Sequence, residues 1–309
     1  MNVIIDIATS SPAGYGHMVR CSHLANELRR QGTKVYAWSY RPTIESIYLR
    51  DHAGVVLGAP DRAEIGIIDT MTYDPDTVEA MRERVDRIVV IVGVGQNLTP
   101  QVLEAADLLV YQTGWKVPPM RFGAFGLQLS GPDFIILGPE YARPLNVMRR
   151  REALVVFGAG IPWDYAVETA EALAATGIRG TLVVPPYYSG EYEYTLAPAG
   201  FTMLRSPMTL RGLQALHTVQ VGSLGMSTYE ALAAGCWPIV VGRTADYVAT
   251  ADILMTMGMG NSMGAWEQVL PENTATIADV LLSTMKEFPR VIDGYGIRRV
   301  AKHILELVR

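Results

Sequence analysis

One histidine in this chain stands where a base could work. In Gly14-Tyr15-Gly16-His17 the glycines permit close backbone approach. The helix predicted to follow turns its free N–H groups and positive dipole end toward an anion. That end favours a neutral ring, and a neutral histidine can accept a proton from a hydroxyl or from water, the task of a general base. The same residue also fits a first-turn histidine that only hydrogen-bonds its loop, and the local sequence leaves both readings open. Arg20, one turn on, would face either a phosphate or solvent.

A second stretch, VQVGSLGMSTYEALAAGCWPIVV from Val219 to Val241, reads as strand, glycine turn, short helix and strand. Gly225, Ser227 and Thr228 would offer N–H and hydroxyl donors to a phosphate at the helix start. Glu230, within the first two turns, could accept hydrogen bonds from both hydroxyls of a ribose. The competing reading is a capping arrangement, with Ser227 or Thr228 as N-cap and Glu230 serving the helix dipole. Other candidates are weaker. GVGQNL at Gly93 and GAGIPW at Gly158 each lack the third glycine of a dinucleotide fingerprint, and there is no Walker loop. His23, His52, His217 and His303 have no metal-ligand spacing, so no metal site is expected and they read as surface or satisfied core residues. Asp69 ends the strand EIGIID and reads first as a turn former. Arg149-Arg150-Arg151 reads as a solvated linker face and is the only local hint of a polyanionic acceptor.

These residues need elements to position them. Asn2 to Ile7 predicts a buried strand, Gly16 to Gln31 a helix and Lys34 to Tyr40 a second strand, the alternation of a parallel sheet. Met18, Cys21, Leu24, Ala25 and Leu28 form one helical stripe that closes on Arg29, Arg30 and Gly32. Further strands are predicted at Val55–Leu57, Glu64–Ile68, Arg87–Val92, Leu108–Tyr111 and Phe134–Leu137, with helices near Thr77–Arg84 and Pro100–Ala106. A second unit of the same kind opens at ALVVFGAG, Ala153 to Gly160, after a proline-bearing, charged linker at Gly138 to Arg151. The expected class is α/β: two Rossmann-like, doubly wound domains, residues 1–145 and 146–287, facing an interdomain cleft. A C-terminal helical segment, 288–309, is expected to pack back on the first domain. Ligands of such sheets bind beyond the carboxyl ends of the strands.

The chain has 309 residues, 49% of them hydrophobic, and a net charge of −5, enough for two cores and no advertisement of nucleic-acid binding. Cys21 and Cys236 are far apart and sit in apolar patterns, so reduced, buried thiols are expected. The opening MNVIIDIATS has no basic leader, and no apolar run reaches membrane-spanning length, so a cytoplasmic protein without a transmembrane segment is the expectation.

Taken together, Gly-x-Gly-His-x-x-Arg-Cys-x-x-Leu-Ala and Ser-Thr-Tyr-Glu-Ala-Leu-Ala-Ala-Gly resemble the two-domain glycosyltransferase B architecture. GYGHMVRCSHLANELRRQG, LGPEYARPL and GMSTYEALAAGCWPIVV, in that order, are similar to the UDP-sugar hydrolases of pseudaminic acid biosynthesis. The resemblance implies that His17 activates the nucleophile and that Gly14, Tyr15 and Gly16 approach the sugar and diphosphate. Glu230 would hold the ribose beside Ser227 and Thr228, with Tyr141 near the sugar and Met208 near the base. The chain departs from the hydrolase pattern at Phe157-Gly158-Ala159-Gly160, which lacks a hydroxyl and a carboxylate, and at GRTADYVATADIL, which lacks an Asn-Gln pair. The fold and the nucleotide-sugar donor outlast these losses better than water as acceptor does. A metal-independent, inverting glycosyltransferase using a UDP-linked sugar as co-substrate, with no other cofactor, is therefore expected. A UDP-sugar hydrolase stands second and a non-hydrolysing sugar-nucleotide epimerase third, with a non-catalytic sugar-nucleotide or nucleic-acid-binding protein as the alternative from a different class. The acceptor is open among a small molecule, a lipid carrier, a protein and a modified DNA base.

Overall fold

The computed structural model describes residues 1–7, 16–38, 44–70, 75–94, 96, 98–122, 126–158, 161–184, 197–205, 207, 209–242, 244–266, 271–283 and 288–308. The chain forms two compact units, Met1–Pro139 with Gly294–Arg309, and Glu140–Asp293.

The first unit runs β1 (Asn2–Asp6), α1 (Gly16–Arg30), β2 (Lys34–Ala37), α2 (Ile44–Ala53), β3 (Val56–Leu57), β4 (Ala63–Ile68), α3 (Pro75–Arg82), β5 (Val85–Val92), α4 (Pro100–Ala105), β6 (Leu108–Tyr111) and β7 (Leu127–Leu129). Its parallel sheet has the order β3-β2-β1-β4-β5-β6-β7. Both faces are covered, which is why β4, β5 and β6 read as nearly continuous apolar runs. Val3, Ile5, Ile65 and Ile67 pack on Cys21, Leu24 and Leu28 of α1. Ile4, Ile68, Ile88 and Val90 pack on Val78 and Met81 of α3 and Val102 of α4. Burying each such Leu or Ile contributes about 1.5–3 kcal/mol. α1 stops at Gly32, whose φ of 88° lies in the left-handed region, and the Thr33 N–H returns to the Leu28 carbonyl at 3.2 Å.

Two expectations change here. Phe134–Leu137 is not a strand: Gly131, at φ 98°, and Pro132 start a single 3₁₀ turn, Pro132–Phe134. The edge strand is instead the three-residue β7, too short to show a period. The last helix, α10 (Gly296–Glu306), starts later than Phe288 because Pro289 and Gly294, at φ 75°, interrupt it. Its Ile297, Val300, Ala301 and Ile304 complete the core on the α1 side.

The second unit continues β8 (Arg150–Val156), α5 (Trp163–Ala175), β9 (Gly180–Val184), β10 (Phe201–Arg205), α6 (Arg211–Leu216), β11 (His217–Ser223), α7 (Met226–Ala234), β12 (Trp237–Gly242), α8 (Ala245–Thr256), β13 (Asn261–Ala265) and α9 (Pro271–Ser283). Its parallel sheet, β10-β9-β8-β11-β12-β13, repeats the order of the first six strands of the other unit. Val155, Val221 and Ile239 pack on Ala166, Ala170 and Leu173 of α5 and on Ala275 and Ala278 of α9. Gly222 lets β11 pass β8, since a Cβ there would lie 1.7 Å from the Val156 carbonyl oxygen. The strand order reverses between β1 and β4 in one unit and between β8 and β11 in the other, the points where such sheets take ligands. No described helix is long and apolar enough to cross a membrane.

Candidate functional site

His17 is the second residue of α1 and retains 16% side-chain exposure. Gly16 opens the helix, while Gly14 and Tyr15 lie outside the described residues. His17, Arg20 and Cys21 are spaced i, i+3 and i+4, so they share one helix face. All three point at Asp69, which directly follows β4. Register explains the meeting, because β1 and β4 pair side by side, and the Asp69 N–H donates to the Asp6 carbonyl at 3.0 Å.

Asp69 is therefore not a turn former. It is fully buried, and its two oxygens accept four donors. Arg20 Nε donates to Oδ2 at 2.9 Å and Nη2 to Oδ1 at 2.5 Å. His17 Nδ1 stands 2.7 Å from Oδ1, and the Cys21 thiol 3.2 Å from Oδ2. Burial alone would raise its pKa, but the charge of Arg20 and the hydrogen bonds from Arg20 and His17 outweigh it and hold the carboxyl well below the usual carboxylate range. Arg20 is itself buried and does not face solvent; it neutralises Asp69 through a bidentate pair.

An ionised Asp69 has no proton to give, so the 2.7 Å contact requires N–H at His17 Nδ1. The ring's lone pair is then on Nε2, on the side away from Asp69. This is the protonation pattern of an oriented base. Asp6, at the end of β1, is 8% exposed, and its Oδ2 has no hydrogen-bond partner. Burial pushes its carboxyl up to about 6. Asp69 had a sequence signal, an Asp closing an apolar strand; Asp6 had the same signal within NVIID.

In the second unit Gly225 is the N-cap of α7. A Cβ built there meets nothing within 4 Å among the described residues. Ser227 is half-buried, one residue inside the helix. Thr228 is buried, and its hydroxyl oxygen accepts the Gly225 N–H at 3.3 Å while the hydroxyl lies 3.5 Å from the Ser223 carbonyl. It thus serves the cap, from inside the helix and not from the cap position. The Gly158 N–H donates to Ser223 Oγ at 2.9 Å and ties the ends of β8 and β11 together.

Glu230 keeps part of its surface open, but its carboxyl is enclosed. Burial and the charge of Glu140 push it up to about 7, opposed by the Tyr141 hydroxyl. Tyr141 is buried, and its hydroxyl donates to Gln214 Oε1 at 2.9 Å. Met208 lies outside the described residues. The sequence reading missed Gln214 and Gln220, both buried and both within 3.1 Å of the Ser227 carbonyl; polar residues inside apolar runs were the available signal.

Arg149 does not belong to a solvated face. Its guanidinium donates to the carbonyls of Gln214 at 3.4 Å and His217 at 3.0 Å, and also to that of Ala234. These are the carbonyl ends of α6 and α7, which need donors. Among the described residues no group of three or more His, Cys, Asp or Glu is placed to hold a metal ion.

No protein-family model matches the chain, and no curated protein is similar to it. Solved structures are. The glycotransferase of kitacinnamycin is 14% identical with a TM-score of 0.64, covering 100% of this chain and 99% of that one. The spinosyn rhamnosyltransferase SpnG complexed with thymidine diphosphate is 13% identical with a TM-score of 0.60, covering 100% and 96%. LpCGTa in complex with UDP is 14% identical with a TM-score of 0.59, covering 99% and 95%. The two parallel α/β units and these full-length likenesses show the glycosyltransferase B fold.

Proposed function

We propose that this protein is a nucleotide-sugar-dependent glycosyltransferase with a UDP-linked donor and His17 as general base. The observation that carries the reading is the buried Asp69 carboxylate against His17 Nδ1, which leaves Nε2 to take a proton. The fold supports it, as do neighbours described in complex with thymidine diphosphate and UDP.

In this reading an acceptor hydroxyl gives its proton to His17 Nε2 as its oxygen attacks the anomeric carbon. The bond to the nucleotide diphosphate breaks on the opposite side, which inverts the centre. Asp69 stays ionised and steadies the imidazolium that forms. The leaving diphosphate gathers charge at the start of α7, where Ser227 presents its backbone N–H and the helix its dipole, without calling on a metal. Glu230 takes the ribose hydroxyls, and Tyr141 lies beside it.

The test is a panel of UDP-, GDP- and dTDP-sugars with the purified protein, following diphosphate release with and without hydroxyl-bearing acceptors, beside His17→Ala. Slow release in water that acceptors accelerate, lost in His17→Ala, is the expected result. Rapid His17-dependent release into water would make the protein a hydrolase. Turnover unchanged in His17→Ala would remove the base assignment, and failure to bind any donor would remove the reading.

A further inference from the structure

Ser223 closes β11 beside the end of β8, where the strand order of the second unit reverses. It is 9% exposed, and the fold uses only half of its hydroxyl. The Gly158 N–H donates to Oγ at 2.9 Å, a bond that occupies a lone pair and leaves the O–H proton. Among the described residues nothing accepts that proton. A buried donor without an acceptor costs stability, and tying β8 to β11 needs an acceptor alone. The proton points to a partner that the chain does not itself supply.

Its place in the fold says what that partner is. Two residues on, Gly225 caps α7, and Thr228, which serves the cap, holds its hydroxyl 3.5 Å from the Ser223 carbonyl. The Ser227 N–H, in the first turn of α7, has no acceptor within its helix. The strand end thus offers an O–H and the helix start an N–H, a pairing that suits an anionic oxygen. The turn Phe157-Gly158-Ala159-Gly160 carries no hydroxyl of its own, and β11 brings one to it. Gly158 leaves that hydroxyl uncrowded, since a Cβ there would lie 3.3 Å from Oγ. The bond from the Gly158 N–H also polarises the O–H and makes it a stronger donor.

We infer that the Ser223 hydroxyl donates a hydrogen bond to a phosphate oxygen of the donor's diphosphate, with the Gly158 N–H behind it in the same chain of bonds. As the bond from the anomeric carbon to the diphosphate oxygen breaks, its electron pair leaves with the diphosphate, and the charge gathered there strengthens the Ser223 bond. The proton stays on Oγ throughout. The inference rests on the proposed seat of the diphosphate at the start of α7.

The experiment measures binding of UDP, by calorimetry, and of uridine, by ligand-observed NMR, to the full chain and to variants of Ser223. The ratio of the two affinities isolates the diphosphate. Ser223→Ala removes both the tie to Gly158 and the proton, and Ser223→Thr keeps both. Ser223→Asp keeps an acceptor for the Gly158 N–H and turns a negative charge toward the phosphates. The expected result is a preference for UDP over uridine that falls at least about tenfold in Ser223→Ala, the worth of one hydrogen bond to a charged group. The preference is retained in Ser223→Thr and falls furthest in Ser223→Asp, while uridine affinity holds in all three. A Ser223 that only ties the strands would lower the thermal midpoint of Ser223→Ala and leave the preference intact in Ser223→Asp, which overturns the inference. A wild-type preference that withstands Ser223→Ala overturns it too and leaves the donor reading standing. If the folded wild type binds neither ligand, the donor reading falls and the inference with it.

Discussion

The imidazole Nδ1 of His17 lies 2.7 Å from Oδ1 of Asp69, across 52 residues of sequence, and this contact decides which ring nitrogen can act as a base. Replacing Asp69 by Asn removes the need for N–H at Nδ1 and lets the ring present the wrong tautomer. Turnover should drop by about 10³–10⁴-fold in Asp69→Asn, by analogy with oriented histidine bases elsewhere, and in His17→Ala by a factor of at least about 10². Donor affinity should change little in His17→Ala. Steady-state kinetics beside direct UDP binding measures both.

Asp69→Asn should also cost stability, since it removes the charge that neutralises the buried Arg20 guanidinium. Breaking a buried pair on one side costs about 3–5 kcal/mol. A double variant, Arg20→Met with Asp69→Asn, should recover part of that loss in thermal unfolding but none of the turnover.

Gly225→Ala separates ligand space from fold. The φ of Gly225 is 175°, extended backbone that any residue adopts, and its added methyl meets nothing within 4 Å among the described residues. The thermal midpoint should stay within about a degree, corresponding to a change of under about 0.5 kcal/mol, while UDP binding weakens at least about tenfold through loss of room for the diphosphate. An unchanged UDP affinity would move the phosphate site elsewhere.

Asp6 should make stability depend on pH. Its folded carboxyl is pushed up to about 6 from 3.8, so the folded state holds the proton more tightly than the unfolded one between these values. Its contribution to stability is fully present below about 4 and is lost as pH rises to about 6. Asp6→Asn should match the wild type near pH 4 and exceed it near pH 7 by about 2–3 kcal/mol. Thermal unfolding across that range measures the gap, and a constant gap would rule the mechanism out.

Legibility followed locality. The helix α1 could be read because its apolar stripe and its Gly32 stop lie within one stretch, whereas the N-cap of α7, expected at Ser227 or Thr228, is Gly225, with Thr228 serving it from inside the helix. Asp69 could not be tied to His17, since only the side-by-side pairing of β1 and β4 makes them neighbours. Arg149 was misread because a run of three arginines suggests solvent, whereas two helix ends supplied carbonyls that only a fold can assemble. Gln214 and Gln220 sit in apolar strands and helices where their roles depend on a main-chain oxygen seven or more residues away.

The return of the chain to its first unit has a consequence for the order of synthesis. Ile297, Val300, Ala301 and Ile304 of α10 belong to the core built on β1 and α1, yet the ribosome makes them after the whole of Glu140–Asp293. The second unit is one uninterrupted segment and can close as soon as it emerges. The N-terminal unit, although made first, must wait with one apolar face uncovered until the last residues arrive. A nascent chain stalled before α10 therefore exposes apolar core surface of the first unit, the kind of surface through which incomplete chains aggregate.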